Sequence, residues 1–179
     1  MKIQVSDRII LREIELEDST NIFQTIDSQR DYLGRWLPFV ELTKSVDFSR
    51  SFIQSILNSP FEDREHTFTI LYDGEFAGVI GFRGTDRANK KTEIGYWLSA
   101  NFQHKGIISD SVPALMKFAY DELKLNRIQI RCGVGNIPSR RIPIRLGFRF
   151  EGIERAGELF PDGRFVDLEV YSRLKDDQD

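Results

Sequence analysis

One cysteine, two histidines and no long apolar run set the first limits on this chain of 179 residues. Cys132 has no second thiol to pair with, which excludes an internal disulfide. His66 and His104 are far apart, with no clustering around either, so no metal set is expected. Neither sign of charge prevails: 25 basic and 28 acidic side chains leave a net charge of −3, with no basic face to mark a nucleic-acid binder. No apolar segment approaches the roughly 20 residues of a membrane span. The opening residues carry one lysine, Lys2, without the apolar core of a leader behind it. The expectation is a soluble, cytoplasmic protein with neither nucleic acid nor membrane as partner.

What is present suits one domain spanning residues 1–179, since 40% hydrophobic residues supply a core of ordinary size. The apolar period changes along the chain in the α/β manner. Residues 8–14 alternate as a strand, Glu17, Asp18 and Ser19 offer helix-start chemistry, and Ile22, Phe23 and Ile26 follow at helical spacing. An aromatic region from 28 to 60 contains Tyr32, Trp36, Phe39, Phe48 and Phe52 and a helix capped near residues 43–45, and forms a candidate binding wall. Residues 67–72 and 75–83 flank Asp73-Gly74, a pair able to take the positive φ angles of a hairpin turn. Residues 91–98 supply the next strand. Val112, Leu115, Met116, Ala119 and Leu123 mark the stripe of a central helix. A strand over 127–134, a short helix over 139–146 and a hairpin of 148–160 with 164–174 complete the order.

The junction Gln103-His104-Lys105-Gly106-Ile107-Ile108 lies between a strand and the central helix. The first amides of a helix lack intrahelical partners and sit at the positive end of its dipole, so backbone alone can hold a phosphate there. Many such junctions only turn the chain. A second patch, Asn136-Ile137-Pro138-Ser139 running on to Gly147-Phe148, follows the strand over 127–134.

These two patches, in this order, resemble the GNAT acetyltransferases, whose coenzyme A loop reads Gln/Arg-x-x-Gly-x-Gly/Ala and whose second half carries Asn-x-x-Ser/Ala ahead of Gly-Phe. Residues 8–12, 78–82 and 93–97, with Asp162-Gly163-Arg164 near the end, look like the branch containing the ribosomal-protein N-terminal acetyltransferases. The resemblance covers about residues 8–174. It implies a mixed, mostly antiparallel sheet of about six or seven strands with a V-shaped splay, flanked by about four helices. It further implies direct acetyl transfer from acetyl-CoA to an amine, the N-terminus of a protein such as a ribosomal protein, with the polyamines and aminoglycosides and a non-catalytic coenzyme A-binding regulator as alternatives. A homodimer paired through the C-terminal hairpin is a further expectation.

Site residues follow from the same resemblance. Tyr96, Trp97 and Leu98 would offer backbone to the pantetheine arm. Gln103, His104, Lys105, Gly106, Ile107 and Ile108 would hold the pyrophosphate, and Asn136, Ser139, Arg140 and Arg145 would line the rest of the coenzyme site. Ser139 would donate a proton to the departing thiolate, unless its hydroxyl serves as the N-cap of the helix that follows. Glu93 would relay a proton from the ammonium through water, against the plainer reading of a solvated carboxylate at a strand end. The tyrosine that many members use as acid is replaced by Pro143. Cys132 invites a covalent route, but a lone strand cysteine with no histidine beside it in sequence usually packs. Ile108 replaces the small residue ending the loop motif and must point into the core for an anion to approach. Pro113 requires the helix to start as late as Asp110 or to kink.

Overall fold

A computed structural model describes residues 1–60 and 63–177. In chain order the elements are β1 (Lys2–Gln4), β2 (Ile9–Glu13), α1 (Asp18–Ser28), α2 (Arg30–Gly34), α3 (Phe39–Leu42), α4 (Val46–Leu57), β3 (Thr67–Tyr72), β4 (Glu75–Asp86), β5 (Lys91–Leu98), a 3-10 turn (Ala100–Phe102), α5 (Ile107–Asp121), β6 (Arg127–Gly133), α6 (Ile137–Arg145), β7 (Arg149–Leu159) and β8 (Phe165–Leu174). The strands are ordered β1-β2-β3-β4-β5-β6-β8-β7. Neighbours are antiparallel in β1 with β2, β2 with β3, β3 with β4, β6 with β8 and β7 with β8. The parallel ladder of β5 with β6 pairs Lys91, Thr92 and Glu93 with Arg127, Ile128 and Gln129. Two units divide the chain, the first comprising Met1–Gly81 and Tyr96–Ile107, the second Phe82–Gly95 and the chain from Ile108 onward.

In the first unit, Ile22 and Ile26 of α1, four residues apart, meet Ile14, Leu33, Val40, Ile53 and Val79 in one apolar cluster, with Phe76 and Trp97 packed against it. Asp18 is buried beside that helix start, and its charge is matched by Arg12, the Thr69 hydroxyl at 2.8 Å and the Glu15 amide at 2.9 Å. The hairpin between β3 and β4 turns at Asp73 and Gly74, with φ of 51° and 84°, the two left-handed residues that a tight two-residue loop demands. Asp73 also pairs with Arg8, whose guanidinium lies 4.4 Å from the centre of the Tyr72 ring. Gly78 is required by a close approach: a Cβ there would lie 2.2 Å from the Trp97 carbonyl oxygen.

In the second unit, β6 alternates buried and half-buried residues, with Ile128, Ile130 and Cys132 inward. Val112, Leu115, Met116 and Ala119 of α5 are buried, and Phe118 stacks on Phe82 at 6.2 Å between ring centres. The long hairpin turns at Asp162 and Gly163, where φ is 83° at the glycine. Along it the pairing of β7 with β8 shifts register twice, between Phe150 and Gly152 and between Glu154 and Glu158.

Three differences from the sequence expectation have local causes. The described residues form eight strands and six α-helices instead of about six or seven and four. β1, with three residues, and α2 and α3, with five and four, are too short to show a period. α5 starts at Ile107, not as late as Asp110, and contains Pro113. Losing one helical hydrogen bond there costs about 3 kcal/mol, which the buried side chains of Val112, Leu115 and Met116, at about 1.5–3 kcal/mol each, outweigh. α6 starts at Ile137, two residues ahead of expectation, because its cap is Asn136.

Candidate active site

Within the first unit, the stretch from Tyr96 to Ile107 carries the candidate anion loop. Tyr96, Trp97 and Leu98 are half-buried at the end of β5, and the Trp97 ring lies 5.9 Å from that of Phe76. Ser99 then ends the strand: its amide donates to the Ala77 carbonyl at 2.8 Å, and its hydroxyl accepts from the Gln29 side chain at 2.9 Å. The other end of the Gln29 amide accepts from the Ala100 amide at 2.8 Å, so one side chain of α1's C-cap fixes the turn. The Gln103 side chain donates to the Tyr32 hydroxyl at 2.5 Å, and burial raises that phenol above its usual range against the opposing effect of this bond.

His104 and Gly106 both have positive φ, 60° and 75°, immediately before α5 begins. Alternating backbone of this kind turns successive amides inward and makes an anion-binding concavity at the positive end of the helix. His104, Lys105 and Gly106 are exposed, whereas Ile107 and Ile108 are buried, so the branched side chains point inward as the loop requires. The Lys105 ammonium lies 5.0 Å from the Tyr72 ring centre and 4.9 Å from that of Phe102.

Within the second unit, the chain leaves β6 through Gly135, with φ of 88°, and enters α6 at Asn136. The Asn136 side-chain oxygen accepts from the Ser139 amide at 3.3 Å and is the N-cap. Ser139 is therefore released from the capping role, and its hydroxyl is hydrogen-bonded to the Cys132 thiol. Cys132 is buried, and burial first, the Glu169 carboxylate second, push its thiol up to about 11, against opposing effects of Arg140 and Ser139. At neutral pH it is a protonated packing residue, not a nucleophile. Glu169 is itself buried, accepts from the Tyr171 hydroxyl at 2.6 Å and has the Arg140 Nε 3.5 Å away. Arg140, Arg141 and Arg145 are exposed along α6.

Glu93 is buried, not a solvated strand end. One carboxylate oxygen lies 3.2 Å from the Arg83 Nε; the other accepts from the Arg131 Nε at 2.6 Å and from Gln129 at 3.3 Å. Arg131 also bonds Glu154 at 2.9 Å, and Arg83 lies 3.8 Å from Glu158, so a chain of alternating charges runs from Glu93 along the same unit. Sequence reading missed Arg83, Arg131, Glu169 and Tyr171 as members of the site. Register with β6 puts Glu169 and Tyr171 on the face of Cys132 and Ile130, and the neighbouring Leu168 on the opposite face is buried too, so both faces of β8 are covered there. Among the described residues no cluster of histidine, cysteine and carboxylates can hold a metal, and no helix is long and apolar enough to cross a membrane.

These features define an α/β protein with a left-handed turn at one helix start and a polar group at a second. Residues 8–149 match the model of the family described as "Acetyltransferase (GNAT) domain". The chain is 38% identical over 173 residues to "Putative ribosomal N-acetyltransferase YdaF" of Bacillus subtilis (strain 168), covering 96% of this chain and 94% of that protein. It is 30% identical to "Ribosomal-protein-serine acetyltransferase" of Escherichia coli (strain K12), covering 98% of each. The solved structure of RimL, a ribosomal L7/L12 α-N-protein acetyltransferase in complex with coenzyme A, superposes with a TM-score of 0.91 at 28% identity, covering 97% of this chain and 98% of that one. The chain belongs to the GNAT acetyltransferase family. It is an enzyme of acyl transfer with the fold of that family.

Proposed function

We propose that this protein transfers an acetyl group directly from acetyl-CoA to the N-terminal amine of a protein, a ribosomal protein being the favoured acceptor, and that residues 1–179 act as one catalytic domain. The observation that carries this is the loop at residues 103–108, whose two left-handed residues, His104 and Gly106, stand exposed immediately before α5. The coenzyme A bound in the RimL structure and the ribosomal acceptors named for the two relatives support the assignment of donor and acceptor.

The donor is held by Tyr96, Trp97 and Leu98 on its pantetheine arm and by residues 103–108 on its pyrophosphate. Asn136, Ser139, Arg140 and Arg145 contribute from α6. Arg140 has its Nε beside Glu169, which leaves its two terminal nitrogens for a phosphate. The neutral amine attacks the thioester carbonyl, and a C–N bond forms as the tetrahedral intermediate takes the charge on oxygen. Collapse breaks the C–S bond, and the thiolate takes its proton from Ser139 Oγ, which recovers one from water so that the hydroxyl is restored. The proton lost by the amine passes through water to Glu93, whose flanking guanidiniums hold it in place. Polyamine acceptors fit less well, because Glu93, Glu151, Glu154 and Glu158 each already face an arginine.

We also propose a cytoplasmic homodimer paired along β7, which is last in the strand order and leaves Phe150, Ile153 and Leu159 more than half exposed. Thiol release from acetyl-CoA, measured against ribosomal N-terminal peptides, polyamines and aminoglycosides, tests the function. Rapid turnover confined to the peptides is the expected result, and turnover confined to a small amine would replace the acceptor.

A further inference from the structure

The sequence reading and the family resemblance leave Glu169 without a role, yet it is a buried acid in the middle of a strand, 7% exposed. Strand register explains how it reaches the site. In the pairing of β6 with β8, Cys132 stands opposite Glu169 and Ile130 opposite Tyr171, so these side chains share one face. On that face one oxygen, Glu169 Oε2, accepts from the Tyr171 hydroxyl at 2.6 Å and forms an ion pair with Arg140, whose Nε is 3.5 Å away. Arg140 directly follows Ser139 in the first turn of α6, and the Ser139 hydroxyl is bonded to Cys132, the cross-strand partner of Glu169.

A buried carboxylate is a poor means of gaining stability. Removing it from water costs several kcal/mol that an ion pair only roughly offsets, and an apolar side chain would pack at no such cost. What an ion pair between a buried carboxylate and a half-exposed guanidinium does supply is a preferred placement of the cation. The first turn of α6 is thus tied down at three points: the Ser139 amide to Asn136, the Ser139 hydroxyl to Cys132, and the next side chain to Glu169. A hydroxyl that must meet a departing thiolate needs such restraint, since a misplacement of about 1 Å can cost about a hundredfold in rate.

We propose that Glu169 is a positioning residue for acetyl transfer: from β8 it holds Arg140, and through Arg140 the turn of α6 that aims the Ser139 hydroxyl. This rests on the proposed role of Ser139. Glu169→Gln keeps the size and an acceptor for Tyr171 but removes the charge that holds Arg140. At saturating acetyl-CoA with a peptide acceptor, Glu169→Gln is expected to lower kcat about tenfold, within the range of a misplaced catalytic group, with the KM for acetyl-CoA unchanged. Arg140→Met, read at saturation so that any lost phosphate contact appears only in KM, should lower kcat similarly, and it lies on the exposed side of the pair where folding is not at stake.

The deciding comparison is a double-mutant cycle with Ser139→Ala, with thermal melting followed for every variant. If Glu169 acts through Ser139, Glu169→Gln has no further effect on kcat once the hydroxyl is gone. An equal loss in both backgrounds, or an unchanged kcat in Glu169→Gln and Arg140→Met while Ser139→Ala is slow, overturns the proposal and leaves the role of Ser139 standing. An unchanged kcat in Ser139→Ala alone overturns that role instead.

Discussion

Two side chains three residues apart divide one task at the start of α6. Asn136 takes the capping position, so Ser139 is left with a hydroxyl that faces Cys132. The Asn-x-x-Ser spacing was visible in the sequence. Which of the two residues caps was not, because both have side-chain oxygens suited to the role and only the path of the backbone out of Gly135 decides between them. Ser139→Ala is expected to reduce kcat by about ten- to a hundredfold, the lower part of the range for general acid catalysis, with little change in coenzyme A affinity. Steady-state kinetics alongside calorimetry of coenzyme A would separate the two effects. Cys132→Ser, which keeps a partner for the Ser139 hydroxyl, should retain acetyl transfer within a few-fold, since burial holds the thiol near 11 and keeps it protonated. Loss of activity together with a trapped acetyl-cysteine in the unmodified enzyme would instead require a covalent route.

Among the elements, the tight hairpin between β3 and β4 was the most legible, because Asp-Gly is one of the few pairs that accept two left-handed residues in succession. The route past Gly78 was not legible. A glycine in a strand signals some close approach, but only the fold shows that the Trp97 carbonyl is what approaches. Gly78→Ala should therefore destabilise the protein by about 1–3 kcal/mol, the usual cost of forcing atoms into a packed region, and chemical denaturation would measure it. The two register shifts of β7 were likewise hidden, since alternation in that strand is blurred by glycines at 152 and 157.

An ion pair linking β6 to β7 carries an acid-stability prediction. Glu151 accepts two hydrogen bonds from Arg127, at 2.7 and 2.6 Å, and one from Ser172, and its carboxyl is held down at about 2, chiefly by Arg127. A depressed carboxyl pKa stabilises the folded state above the unfolded value of about 4.5, and that contribution disappears as the pH falls towards about 2. Glu151→Gln is expected to lower the melting temperature at neutral pH, and the gap from the unmodified protein should close progressively on acidification from about pH 5 towards about pH 2. A gap independent of pH would show that shape, not charge, holds this pair.

At the level of the whole molecule, acceptor class and assembly are the open functional variables, and two measurements address them. Peptides beginning as ribosomal proteins do should outcompete polyamines in thiol release, because the carboxylates near Glu93 are already matched by Arg83 and Arg131. Sedimentation at micromolar concentration should give twice the chain mass if β7 pairs with a second copy, and a monomer would remove that assembly. The fold class was readable from the chain as a whole, since switches between two-residue and 3.6-residue apolar periods locate strands and helices without reference to their partners. Short pieces such as β1, α2 and α3 fell below the length at which a period exists.

By itself the sequence determined what depends on near neighbours: the α/β order, the hairpin turns, the glycine turn before α5 and the family to which these belong. Only the tertiary structure decided which charges meet. Arg131 lies 38 residues from Glu93 along the chain, and Cys132 reaches Glu169 through strand register alone. Propensity and turn chemistry act over a few residues, whereas register is set by the packing of whole strands, and one slipped residue would have turned each of these side chains to the opposite face.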